Sequence, residues 1–245
     1  MRKLTAATIL ATTAGLLMST TSFAQSRDFD LAGFDRLDIA TGLDARVMLG
    51  EAFKVTAQSR SQDALDNLDL KVVDGVLQAR IDQSFIDFII SGGLVGMLLS
   101  SGNAVTVDIT LPALAGVSAS SGADVDLMAI RADRLALDAS SGADIRAENA
   151  ALGSVTIKAS SGADVEIAGT TETLTADASS GADIDADDLR ASTVTAAASS
   201  GAGISVHATA SIRARASSGG DIDVSGHPGT RDIDESSGGS IDLDD

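Results

Sequence analysis

From residue 113 onward the chain places an apolar side chain at every second position and polar residues between them, which is the period of a half-buried strand and not of a helix. The frame for this alternation is a recurring Ser-Ser-Gly-Ala-Asp motif and its variants. Their glycines fall at Gly122, Gly142, Gly162, Gly181, Gly201, Gly219 and Gly238, at intervals of 20, 20, 19, 20, 18 and 19 residues. Three positions before the glycine stand Ala119, Ala139, Ala159, Ala178, Ala198 and Ala216; five before stand Val117, Leu137, Ile157, Ala176, Ala196 and Ala214. Three after it come Val125, Ile145, Val165, Ile184, Ile204, Ile222 and Ile241. Each coil therefore contains one strand running into the turn and another leaving it. A unit this small cannot bury a core alone and must stack on its neighbours.

These columns predict an all-β fold: a right-handed parallel β-helix, or β-solenoid, with coils of 19–20 residues over 113–245. Glycine supplies the positive φ that a tight turn demands, and the serines bond neighbouring backbone. Alanine before the turn follows from geometry, since a larger side chain does not fit where two sheets converge. In the last coil Glu235 stands where alanine is expected and Arg231 where a large aliphatic is expected, which predicts a frayed or capping coil.

Between Phe34 and Ile81 alternation continues without the repeat, punctuated by turn signals at Thr41-Gly42, Leu49-Gly50 and Asp74-Gly75. A short-stranded antiparallel or mixed β region over 25–112 is expected to cap the first coil. Within it, the segment from Phe85 to Leu99 is almost wholly apolar and broken by Gly92, Gly93 and Gly96. Two readings stay open: a hairpin or loop packed over the sheet, or an exposed patch that docks a partner or a membrane surface. It is too short to span a bilayer.

Residues 1–24 have the form of a secretory leader, with Arg2 and Lys3, an apolar stretch from Leu4 to Met18, and Ser22-Phe23-Ala24 as a cleavage site. An exported protein, periplasmic or released to the cell surface, is expected. The chain has no cysteine, which removes both a lipid-anchored form and disulfide bracing. Without Arg2 and Lys3 it carries 15 basic against 35 acidic residues, a balance that disfavours nucleic acid and anionic lipid and favours basic partners or cations. Tyr and Trp are absent, so an aromatic-lined sugar cleft is not expected.

Candidate chemistry is confined to the carboxylates beside the turns. Asp124, Asp144, Asp164 and Asp183 occupy one column, which lapses at Gly203 and returns at Asp221. Neighbours about 4.8 Å apart repel by ~0.9 kcal/mol even at the dielectric of water. Full solvation with raised pKa values accounts for this, and calcium bridging through those four aspartates is the alternative. An enzymatic alternative, a polysaccharide lyase or hydrolase, would use a pair such as Asp183 and Asp185, although nothing in the pattern marks a pocket. His207 and His227 lie in different coils at different offsets from their turns, so neither is read as a catalytic residue or a metal ligand.

The strand Gly33-Phe34-Asp35-Arg36-Leu37-Asp38-Ile39, the segments Leu68-Asp69-Leu70 and Gly75-Val76-Leu77, the strand from Val105 to Pro112, and the Ser-Gly turns together resemble the bacterial DUF2807 group, described as "putative autotransporter adhesin" head domains of GIN type. The resemblance spans roughly Asp28 to Asp245. It implies a β-helix without a transferable catalytic set and a role in adhesion at the cell surface. The chain ends in Ile241-Asp242-Leu243-Asp244-Asp245 and not in a membrane barrel, so self-anchoring is not expected. The resulting expectation is a non-enzymatic adhesin or envelope-binding protein acting through an extended acidic surface. Its partner would be a protein, a matrix polymer or an envelope component, engaged in part through Phe85 to Leu99.

Overall fold

Strands dominate because β-branched residues and alanine alternate with small polar ones, and the turn glycines recur before any strand can lengthen into a flat, unbroken edge. The computed structural model describes residues 25–82 and 105–244. The expected leader at 1–24 and the apolar segment 85–99 lie outside the described residues. The elements are β1 (Gln25–Phe29), β2 (Arg36–Ala40), β3 (Asp44–Leu49), β4 (Lys54–Ser59), α1 (Gln62–Asp66), β5 (Leu68–Val73), β6 (Val76–Ile81), β7 (Val105–Leu111), β8 (Gly116–Ser120) and β9 (Asp124–Met128). There follow β10 (Arg131–Ser140), β11 (Asp144–Ser160), β12 (Asp164–Ser179), β13 (Asp183–Ser199), β14 (Gly203–Ser217), β15 (Asp221–Ser225), β16 (Thr230–Ser236) and β17 (Ser240–Leu243).

Two parallel files run the length of the rod. Strands that lead into the turns stack as β6, β2, β8, β10 and then the second halves of β11 to β14, ending on β16. Strands that leave the turns stack as β7, β3, β9 and the first halves of β11 to β14, then β15 and β17. The β-solenoid with coils about 20 residues apart is therefore the architecture, as the glycine period implies.

The turns are tighter than glycine alone explains. At Ser179-Ser180-Gly181-Ala182 the Ala182 N–H donates to the Ser179 carbonyl at 3.3 Å, with φ of 57° at Ser180 and 68° at Gly181. Positive φ at both central residues is the type I′ geometry, so the second serine of each motif, and not only the glycine, sits in the left-handed region. The ladder also crosses the ridge: Gly122 N–H donates to the Ser141 carbonyl, Gly142 to Ser161 and Gly181 to Ser200, each at 3.2 Å. The alanines on either side of the turn are buried, with Ala139, Ala143, Ala163 and Ala182 fully enclosed.

Parallel rungs begin earlier than the pentapeptide does. Ala40-Thr41-Gly42-Leu43-Asp44 carries the same left-handed pair, with φ of 63° at Thr41 and 65° at Gly42, and the Gly42 N–H donates to the Ser121 carbonyl at 3.1 Å. The sequence masks this turn because threonine and leucine replace serine and alanine. Stacking order also departs from chain order. The coil of β2 and β3 lies between that of β6 and β7 and that of β8 and β9, so the second coil in the chain is outermost in the rod. Beyond it, β4 pairs antiparallel with β7, β1 with β4, and β5 with β6.

The core is a continuous file of buried aliphatic side chains from Leu37, Ile39 and Val47 to Ile222 and Val224, those five at most 2 % exposed. It narrows along the rod as Leu137 and Ile157 give way to Ala176, Ala196 and Ala214. Residues 230–243 are paired strands, with β16 on β14 and β17 on β15. Glu235 keeps out of the core by turning back over the turn, where its Oε1 accepts the Ile241 N–H at 2.7 Å.

Candidate functional site

The side chains that leave the core on the departing strands form two charged files on one outer face. Register places Asp44, Asp124, Asp144, Asp164 and Asp183 in consecutive rungs, with Thr106 before them and Gly203, Asp221 and Ser240 after. The four aspartates read from sequence are thus brought together, and the structure adds Asp44. Its signal was present, two residues after Gly42, but the altered turn concealed it.

Two residues along, the second file reads Asp108, Arg46, Asp126, Arg146, Glu166, Asp185, Ser205, Asp223 and Asp242. Two arginines stand among its carboxylates. Arg146 lies 3.7 Å from both Asp144 and Glu166, and Arg46 lies 3.9 Å from Asp108. These exposed contacts are weak individually, but they set positive charge beside the column of stacked aspartates. Burial pushes Asp124 above the usual carboxylate range, reinforced by Asp144 and Asp44. Burial likewise raises Asp164, with Asp144 and Asp183 adding to it and Arg146 opposing. Asp44 is raised by burial against the pull of Arg46, and Asp223 by burial and its neighbour Asp242.

The break at Gly203 has a local cause. The Gly203 N–H donates to Asp183 Oδ1 at 3.1 Å, and a β-carbon at this position would come within 2.6 Å of that oxygen. Asp183 therefore folds onto the backbone of the next rung. Asp185 accepts the Asp187 N–H at 3.3 Å. Around them lies a shallow open groove of about 290 Å³, lined by Asp144, Arg146, Asp164, Glu166, Asp183 and Asp185. Among the described residues no three His, Cys, Asp or Glu side chains converge in a metal-ligating arrangement.

One constellation was not visible in the sequence. At the edge opposite the turns, Ser225 donates its hydroxyl to Asp187, and His207 Nδ1 lies 2.9 Å from the same Ser225 oxygen. Three successive coils contribute one group each. The serine has a single proton, so giving it to Asp187 makes His207 Nδ1 the donor toward serine. That order is the reverse of a nucleophile activated by imidazole, in which serine gives its proton to histidine and the carboxylate stands behind the ring. His227 lies exposed beyond β15 and takes no part.

Among the described residues no helix is long and apolar enough to cross a membrane. No curated protein matches the chain. Solved structures do. A putative adhesin from Bacteroides fragilis superposes with a TM-score of 0.76 at 19% identity, covering 91% of this chain and 97% of the other. A "putative lipid binding protein" from Parabacteroides distasonis gives 0.66 at 16% identity, and a putative adhesin from the same organism 0.67 at 14%, each with the same coverage of 91% and 97%. At these identities the likeness establishes the fold. The family rests on a separate match, to residues 33–228: the chain belongs to the DUF2807 family, "putative auto-transporter adhesin, head GIN domain".

Proposed function

We propose that the chain is a non-enzymatic, exported binding rod that engages a cationic partner at the cell envelope or outside it through the face carrying the two charged files. The observation that carries this reading is the unbroken column Asp44, Asp124, Asp144, Asp164 and Asp183 on one sheet face, with Asp124, Asp164 and Asp183 exposed and Asp44 and Asp144 half-buried. A linear array of like charge at a fixed rise suits an extended partner with a repeated positive charge better than a compact ligand. Family membership supports an adhesin-like role, and the solved "putative adhesin" structures of the same fold are consistent with it. Against hydrolysis or elimination, the Asp183 carboxylate is engaged by Gly203 and the groove beside it encloses little volume.

The test is retention on immobilised oligolysine and on chitosan, with dextran as the neutral reference. Salt-sensitive binding to both cationic polymers is expected, with loss in a variant carrying Asp→Asn at positions 44, 124, 144, 164 and 183. Equal retention of that variant would remove the acidic face from the reading. New reducing ends or unsaturated products from anionic or neutral polysaccharides, abolished by Asp183→Asn or Asp185→Asn, would replace it with the enzymatic one.

A further inference from the structure

We propose that β5 is a dimerisation edge, pairing antiparallel with the β5 of a second copy about a two-fold axis at Leu70. Among the described residues β5 has one strand neighbour, β6, so one side of its backbone faces outward. Alternate residues of β5 are Leu68, Leu70 and Val72, packed against the core, and Asp69 and Lys71 on the outer face. Val73 is 42 % exposed at the strand's end.

A two-fold register centred on Leu70 sets Asp69 opposite the partner's Lys71, and Lys71 opposite the partner's Asp69. On the inner face the same register sets Leu68 opposite the partner's Val72 and Leu70 opposite the partner's Leu70. Each side chain thus meets one of like polarity or opposite charge, the arrangement that stabilises cross-strand pairs. Within one chain Asp69 and Lys71 already lie 2.9 Å apart, so pairing exchanges an exposed local contact for two across the interface.

The other strand edges do not offer this. Centred on Arg27, β1 would set Arg27 against the partner's Arg27. Centred on Ile233, β16 would set Asp232 against the partner's Asp234 twice over. In the last strand, β17, the Glu235 carboxylate already takes up the Ile241 N–H. Like charges directly opposite are destabilising, so β1 and β16 are disfavoured in their central registers while β5 is self-complementary. A β5 dimer joins two rods at their N-terminal ends by the sheet that leads into the turns. Both carboxylate files, which lie on the other sheet, remain uncovered.

The test is light scattering on the purified chain across a micromolar-to-millimolar concentration series, with far-UV circular dichroism on every variant. Twice the monomer mass is expected at the upper end. Asp69→Lys and Lys71→Asp should each weaken the dimer by about tenfold or more, because each sets like charges opposite one another at both symmetric pairs. The double exchange, Asp69→Lys with Lys71→Asp, should restore it. A monomer at every concentration overturns the proposal. So does a dimer indifferent to both single exchanges.

Discussion

The two long edges of the rod close the same sheets in opposite ways. At the ridge, the second serine of every motif has φ between 50° and 57° and the glycine between 68° and 78°, and the strands on either side keep register from coil to coil. At the opposite corner, register shifts between Ala147 and Ala150, between Glu166 and Gly169, and between Ala186 and Arg190. The uneven repeat lengths are reconciled there, by bulges that absorb an extra residue. The difference teaches where this fold tolerates change: a left-handed pair flanked by enclosed alanines has no slack, whereas a bulged corner does.

The largest expected effect comes from violating the tight edge. Ala159 is 3 % exposed beside the turn, and Ala159→Leu should cost about 3 kcal/mol or more in urea unfolding, at the upper end for overpacking, because both converging sheets must part. One residue inserted between Ser161 and Gly162 should be comparably damaging, since it shifts the face presented by every position that follows within the coil. The same insertion between Asp187 and Asp188, at the corner, should cost less than about 1 kcal/mol. Equal losses at the two sites would erase the distinction between the edges.

Backbone strain at the ridge is the next effect in size. Ser161 has φ of 57°, so Ser161→Val should cost about 1–2 kcal/mol, because a β-branched residue resists the left-handed region. Ser161→Gly should instead be neutral or stabilising by a few tenths, roughly, since relief of strain offsets the greater entropy of the unfolded chain. A matched pair of melts separates them. If Ser161→Val melts with the parent, the serine conformation is not a constraint.

Electrostatics comes third, and its sign is opposite to that of a salt-bridged carboxylate. Asp44, Asp124, Asp164 and Asp223 hold protons in the folded chain at a pH where the unfolded chain has released them. Their effect on stability is therefore most favourable below the ordinary carboxylate range. It declines as pH rises from the ordinary value to the raised folded one, and the deficit remains at neutrality. Asp66, lowered by its bond to Arg27, works in the other direction. The melting temperature should rise on acidification from neutrality toward the ordinary carboxylate range, and Asp164→Asn should be stabilising at neutral pH, by less than about 1 kcal/mol because solvent screens the exposed column. A triple Asp→Asn exchange at 124, 164 and 223 that leaves the pH slope unchanged would place the effect elsewhere.

Legibility in the sequence follows the same division. The ridge could be read because its motif is short, nearly regular in spacing and fixed by φ, and it yielded the solenoid, the alanine columns and four of the five consecutive ladder aspartates. Asp44 escaped because Thr41 and Leu43 satisfy the same geometry with different side chains. The early rungs escaped because a parallel strand and a hairpin strand alternate identically, and only register distinguishes Leu37 stacked on Leu77 and Val117 from a strand in an antiparallel cap. The neutralising role of Arg46 and Arg146 was unreadable for a related reason, since it depends on which rungs adjoin in space.

The corner cluster carries the smallest expected effect and the sharpest contrast with the ridge. Asp187, Ser225 and His207 meet beside the bulge between Ala186 and Arg190, where Asp187 bonds a serine 38 residues away. Ser225→Ala removes the shared hydroxyl but leaves Asp187 exposed to water and His207 half-exposed, so both partners recover solvent bonds. The loss should be about 0.5 kcal/mol or less, below the usual net worth of a hydrogen bond. If the bulge itself depended on the cluster, Ser225→Ala would instead loosen the rungs that follow, and hydrogen exchange at Ile222 and Val224 would accelerate relative to Ile145 and Val165. Uniform exchange across those four amides is the expected result, because bulges at Ala147 and Glu166 form without any such cluster and the alanine-lined core fixes the path of the chain.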